Sequence, residues 1–231
     1  MEKEPNFMYS LLSDDRLTDE QVGSVVGDLF GAGIDSSANT LVFMLTNLCL
    51  NPDKQTKLYK EIQRVVGDSN TLTKEHIAQM SYLKACLRES HRITFPSSFG
   101  TVRVPESEMV VGGYVIPKDT LIAINNRLMC MDERFFPRPK EFIPERWLRE
   151  TTGELAKSKE YPFAHKPFGF GPRSCIGQRF AENEIFIAIA KIIQNFEVSM
   201  PPEVKEIKTT LRIFTTPVDK VKMTFTDRRT S

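Results

Sequence analysis

Paired cysteines are missing from this sequence. Cys49, Cys86, Cys130 and Cys175 lie far apart and none forms a Cys-x-x-Cys pair, which argues against a zinc site and a disulfide framework. Free thiols of this kind point to a reducing compartment. Histidine is scarce: His76, His91 and His165 show no ligand spacing and read as structural or exposed. No charge of one sign prevails. Lys and Arg number 31, Asp and Glu 30, and the net charge is +1, so neither nucleic acid nor an acidic membrane face is expected as a bulk partner. The longest uncharged run, Ser36 to Pro52, is too short and too polar to make a good membrane span. Met1-Glu2-Lys3-Glu4-Pro5 lacks the apolar core of a signal peptide. Internal repeats and low-complexity tracts are also missing. What remains, 231 residues of which 40% are hydrophobic and 26% charged, is the composition of a soluble globular protein, long enough for one large domain or two small ones.

Against that background, one stretch stands out. In Phe168-Gly169-Phe170-Gly171-Pro172-Arg173-Ser174-Cys175-Ile176-Gly177 a sulfur sits in a glycine-rich turn. The mostly apolar run from Arg179 to Ile193 behind it, with no Pro or Gly, predicts a buried helix. The free N–H groups and positive dipole end of that helix favour a thiolate at Cys175. Gly171 and Gly177 leave room for backbone to approach a flat ligand, and the planar fork of Arg173 suits a carboxylate. Together these features describe a haem seat with Cys175 as axial iron ligand.

The pattern Phe168-x-x-Gly171-x-Arg173-x-Cys175-x-Gly177 resembles the haem-binding loop of the cytochrome P450 family. The resemblance runs from the region of Thr18 to the C-terminus. It implies a mainly α fold with small β-sheets, the haem-side, C-terminal half of the P450 domain spread over 1–231, with haem b (iron protoporphyrin IX) as cofactor. Family members are roughly twice as long, so the chain is expected to be a fragment or truncated product without the N-terminal half.

Thr18-Asp19-Glu20-Gln21 is a capping box opening a helix that runs to about Leu50, where Asn51-Pro52 stops it. Apolar on nearly every side from Val25 onward, it is expected to pass through a core. Gly31-Ala32-Gly33 interrupts it, either for close helix packing or to leave a gap beside a flat ligand. Ala32-Gly33-Ile34-Asp35-Ser36-Ser37 is similar to the oxygen-binding groove of the P450 central helix, with Ser36 where Thr is usual. The resemblance makes Asp35 and Ser36 the catalytic proton relay.

Asp53 to Val66 reads as an amphipathic helix ended by Gly67-Asp68, Thr73 to Met80 as a short helix and Ser81 to Ile93 as another. Glu89 and Arg92, three apart on the last, face each other, either as an exposed pair or, as the family's Glu-x-x-Arg implies, as a structural network completed by Arg146 of Phe142-Ile143-Pro144-Glu145-Arg146-Trp147. Strands are expected over Phe99 to Val104, Met109 to Ile116 with Gly112-Gly113 as hairpin turn, and Leu121 to Asn125. Further strands are expected after Phe196. Arg103 is either a strand-surface residue or, by resemblance, a haem-propionate contact. Ile213-Phe214-Thr215-Thr216 loosely resembles the family's last substrate-facing turn.

Lys84 and Arg88, four apart, are expected to face solvent. With Arg179 they resemble the basic face that docks an acidic, adrenodoxin-like ferredoxin in the mitochondrial branch, although Gln178 stands where a further basic residue is often found. The resemblance implies a monooxygenase that hydroxylates a lipophilic, sterol-like substrate with dioxygen and two electrons from such a donor. Its place would be the matrix side of the mitochondrial inner membrane, with the endoplasmic reticulum membrane as the alternative. Any membrane contact would come through the absent half. A haem-thiolate isomerase or dehydratase, and a non-catalytic short form acting through protein contacts, are the other readings.

Overall fold

The structure, a computed structural model, describes residues 6–97, 102–211 and 214–229. The described residues are mainly α-helical, with three small antiparallel sheets among them. A short α1 (Phe7–Leu12) precedes the central α2 (Asp19–Leu50). Thr18 caps α2, its hydroxyl accepting from Gln21 N while the Gln21 side chain accepts from Thr18 N. Pro52 both ends α2 and opens α3 (Pro52–Val66), because its missing N–H is harmless only in a first turn. Gly67, at φ +60°, closes α3 and returns its N–H to Gln63 O. Then come α4 (Lys74–Gln79), α5 (Ser81–Ile93), α6 (Asn126–Cys130) and α7 (Gln178–Asn195).

The core lies where the C-terminal part of α2 meets α3, α5 and α7. Leu48, Leu58, Ile62, Leu83, Cys86 and Ile189 are fully or almost fully buried there. Burial of each such side chain contributes roughly 1.5–3 kcal/mol. The expectation that α2 runs through a core from Val25 onward is corrected. Val25, Phe30 and Ile34 are exposed, and sustained burial begins only at 37. An added Cβ at Gly23, Gly27, Gly31 or Gly33 would meet nothing within 4 Å. The first half of α2 therefore has an apolar surface without neighbours among the described residues.

β1 (Met109–Val111) and β2 (Tyr114–Ile116) form the expected hairpin, with Val110 opposite Val115. Gly112 and Gly113 both take positive φ, the geometry of a two-residue turn that follows strand twist. β3 (Phe196–Ser199) pairs with β6 (Thr224–Asp227), and β4 (Thr209–Leu211) with β5 (Thr215–Pro217). Of the strands expected over Phe99 to Val104 and Leu121 to Asn125, the described residues show an antiparallel bridge between Arg103 and Ile122, and residues 99–101 lie outside them. Val102, Val104, Leu121 and Ile124 are exposed there. Phe99 and Ile213 lie outside the described residues. Thr215 is buried, its N–H and hydroxyl donating to Pro96 O and Phe95 O.

Candidate cofactor site

The Cys175 loop is shaped by backbone bonds. Gly169 and Gly171 adopt φ +72° and +71°, which a side chain with Cβ rarely takes. These turns bring the Cys175 N–H to Phe168 O at 2.8 Å and the Ser174 N–H to Gly171 O at 3.0 Å. Gly177 caps α7, whose ladder opens with Ala181 N donating to Gly177 O. The sulfur thus sits ahead of the α7 N-terminus.

Cys175 is the one exposed cysteine. Burial pushes Cys49 up to about 11 and Cys130 up to about 12, and drives Cys86 well above the ordinary thiol range, so these three stay protonated and are unsuited to an iron. Around Cys175 the surface is apolar and open: Phe170, Ile176 and Phe180 are exposed, Ile176 at 83%. A Cβ on Gly171 would enter empty space, and one on Gly177 would lie 4.0 Å from Cys175 Sγ. An accessible sulfur, an open glycine turn and an apolar surround fit a flat, largely apolar cofactor. Among the described residues no cluster of three or more His, Cys, Asp or Glu could hold a metal ion of its own.

The other predicted site residues are placed as follows. Phe168 is half-buried, its ring edge-to-face with His91 at 5.4 Å. Arg173 is exposed. Arg103 is exposed on its bridge and donates from Nη1 to Val102 O. Asp35 is exposed, and the Ser36 hydroxyl donates back to Ala32 O at 2.8 Å within α2. Of the two glycine readings for α2, close packing finds no partner among the described residues, because Gly31 and Gly33 face open space.

Glu89, Arg92 and Arg146 are brought together with no exposed side-chain surface. Glu89 Oε1 accepts from Arg92 Nη2 (2.8 Å), Arg146 Nε (3.0 Å) and Ile143 N (3.0 Å). Its Oε2 accepts from Arg92 Nε (3.0 Å) and Trp147 Nε1 (2.8 Å). The remaining guanidinium donors reach carbonyls of the segment 130–141: Arg92 those of Cys130, Pro139 and Glu141, Arg146 those of Pro137 and Arg138. A buried carboxylate holding two cations, with the cations saturated by carbonyls, ties α5 to the segment leading to the cysteine loop.

Lys84 differs from expectation. It is half-buried and its Nζ donates to Ala78 O at 2.9 Å, because the carbonyl at the end of α4 lies within reach. Arg88 is exposed, its guanidinium 5.5 Å from the Trp147 ring centre, and Arg179 is exposed. Sequence reasoning assigned no role to Trp147, His91 or His165. A signal existed for the first: an indole N–H beside Arg146, once buried, needs an acceptor. For the histidines, which are buried rather than exposed at the ring, no spacing gave warning.

The family model described as "Cytochrome P450" matches residues 2–225. Cytochrome P450 CYP12A2 of Musca domestica is 38% identical over 220 residues, covering 90% of this chain and 40% of the relative. The mitochondrial 1,25-dihydroxyvitamin D(3) 24-hydroxylase of Rattus norvegicus is 37% identical, covering 84% of this chain and 36% of the relative. The mitochondrial sterol 26-hydroxylase of the same species is 32% identical, covering 96% and 42%. The crystal structure of a cytochrome P450 (CYP102L1) superposes with a TM-score of 0.87 at 25% identity, over 98% of this chain and 51% of that one. The chain thus spans about two-fifths of the length of these curated relatives.

Proposed function

The chain belongs to the cytochrome P450 family, and from that premise we propose that it forms the cysteine-bearing side of a haem b monooxygenase acting on a lipophilic, sterol-like substrate. The observation that carries this reading is the exposed Cys175 in its glycine loop at the head of α7, set against the protonated Cys86 and Cys130, both buried, and the half-buried, protonated Cys49. Bound haem would supply the activation of dioxygen for insertion of one oxygen atom into a C–H bond. The protein supplies the seat, the protons and the redox docking face.

Cys175 Sγ would hold the cofactor iron, with Gly171 and Gly177 leaving room for the approach and Phe168 on the loop's buried side. Arg173 and Arg103, both exposed, would bind the carboxylates of the cofactor. Asp35 and Ser36 move protons: Asp35 takes them from water, and Ser36 passes one on by exchanging the bond it now makes to Ala32 O. Glu89, Arg92 and Arg146 hold the scaffold and take no part in chemistry. Arg88 and Arg179, with Lys84 at the edge, dock the acidic face of a ferredoxin-type electron donor. The sterol and vitamin D hydroxylase relatives are named mitochondrial, which supports a mitochondrial location; the matrix side of the inner membrane is part of the same proposal. Among the described residues no helix is long and apolar enough to cross a membrane.

The experiment has two arms. The protein is reconstituted with haem, reduced and exposed to carbon monoxide. Cys175→Ser should abolish the thiolate signature, whereas Cys86→Ser and Cys130→Ser should keep it. A signature that survives in Cys175→Ser discards the assignment. Ferredoxin binding to the same material should weaken on reversal of Arg88 and Arg179, most strongly at low salt; unchanged binding discards the docking face.

A further inference from the structure

Two histidines beside the cysteine loop have no part in the function proposed above. His91 lies on α5 between Glu89 and Arg92 and is only 3% exposed. Its ring meets Phe168 edge-to-face, with centroids 5.4 Å apart and planes at 79°. The carbonyl of the same Phe168 accepts the Cys175 N–H at 2.8 Å. His165 lies three residues before Phe168. Its ring packs on Trp147 at 4.8 Å and meets Phe95 and Phe136 edge-on at 6.3 and 6.5 Å. Trp147 in turn donates to Glu89.

Both imidazoles therefore fasten the short stretch 165–168 to the buried network of α5. Burial keeps them neutral: His91 is pulled down to about 4 and His165 well below its ordinary value. Neither adds a charge beside Arg92. His165 Nε2 is buried without a hydrogen-bond partner, so this ring contributes through its faces and edges rather than through polar bonding. Edge-to-face ring pairs favour one relative orientation, which an aliphatic side chain of similar size does not impose.

We propose that His91 and His165 are positioning residues that clamp the Cys175 loop to α5 and so fix the direction in which the sulfur points. The proposal deepens the reading of Cys175 as a cofactor ligand and rests on it for its functional meaning. The clamp itself can be read without cofactor, because the Cys175 N–H to Phe168 O bond protects an amide from hydrogen exchange.

Hydrogen exchange is measured on the full chain for wild type, His91→Leu, His165→Leu and the aromatic controls His91→Phe and His165→Phe. Each leucine variant should exchange the 168–177 peptide roughly three- to tenfold faster, while α3 exchanges at the wild-type rate. Each phenylalanine variant should restore protection. After haem reconstitution, the leucine variants should show a smaller thiolate fraction in the reduced carbon monoxide spectrum. Unchanged exchange in the loop overturns the clamp. So does a rise shared equally with α3, which would mark general destabilisation. Wild-type protein that takes up no haem, yet whose leucine variants lose loop protection selectively, upholds the clamp and overturns the cofactor reading instead.

Discussion

Charge and burial sort the titratable side chains more sharply than sequence position does. Cys175 and Cys130 are chemically identical, yet only Cys175 lies exposed in a glycine turn ahead of a helix. That distinction was legible, because turn glycines and an apolar helix behind them are visible in the chain. The state of the histidines was not. His91 and His165 are surrounded by residues distant in sequence, among them Phe168, Trp147 and Phe136, and no local pattern encodes that. Their burial has a consequence for stability. Burial pulls the folded-state pKa of His91 down to about 4, below the ordinary imidazole value of 6.5, and that of His165 is lowered by burial and then by His91, Arg88, Arg92 and Lys166. As pH falls below about 6.5 the unfolded chain takes up protons first, so stability present above that pH is lost towards pH 4. For His91 alone the full loss is about 3 kcal/mol. Urea midpoints measured from pH 7.5 to 4.5 should fall more steeply in wild type than in His91→Phe; parallel curves would mean that His91 titrates normally.

Elements formed where the sequence carries their punctuation. Thr18 and Gln21 begin α2, Pro52 ends it, Gly67 ends α3, and the Gly112-Gly113 pair turns the β1–β2 hairpin. Around the Arg103–Ile122 bridge the strand pattern specifies two faces but not whether anything covers them, and Val102, Val104, Leu121 and Ile124 are exposed. The i, i+3 spacing of Glu89 and Arg92 predicts their contact, whereas its depth depends on the segment 130–147 folding over α5. That depth makes Glu89 irreplaceable even by its amide. Five donors converge on its carboxylate, from Arg92 Nε and Nη2, Arg146 Nε, Ile143 N and Trp147 Nε1. A glutamine would turn an amide N–H₂ against some of these donors and leave two buried guanidinium groups without their counter-charge. The cost is about 3–5 kcal/mol, a large part of the 5–15 kcal/mol that typically holds a domain together. Glu89→Gln should therefore fail to accumulate as soluble folded protein, or unfold at a much lower urea concentration. A wild-type midpoint would show that the network carries little stability.

At the scale of the whole molecule, the distribution of apolar surface is uneven. One end of α2 sits in a dry core with α3, α5 and α7, while the other presents Phe30, 72% exposed, together with Ile34. α7, packed on α2, adds Phe180 at 76% exposure and Ile187. Hydrophobic periodicity announced that these helices are apolar around much of their circumference but not which faces have neighbours, since the pattern is the same whether or not the neighbour is there. Contiguous apolar surface beyond a few hundred Å² marks an interaction site or an aggregation hazard. The 231-residue protein, expressed as such, should therefore self-associate at micromolar concentration, and Phe30→Ser with Phe180→Ser should shift it towards monomer without lowering its helix content. Sedimentation velocity across a dilution series, with circular dichroism of the same samples, checks both statements. The two phenylalanines contribute side chains whose transfer from water is worth roughly 1.5–3 kcal/mol each when fully buried, enough for the double substitution to change the association constant by tenfold or more. A wild-type monomer over the whole series would mean that these faces are too dispersed to act together.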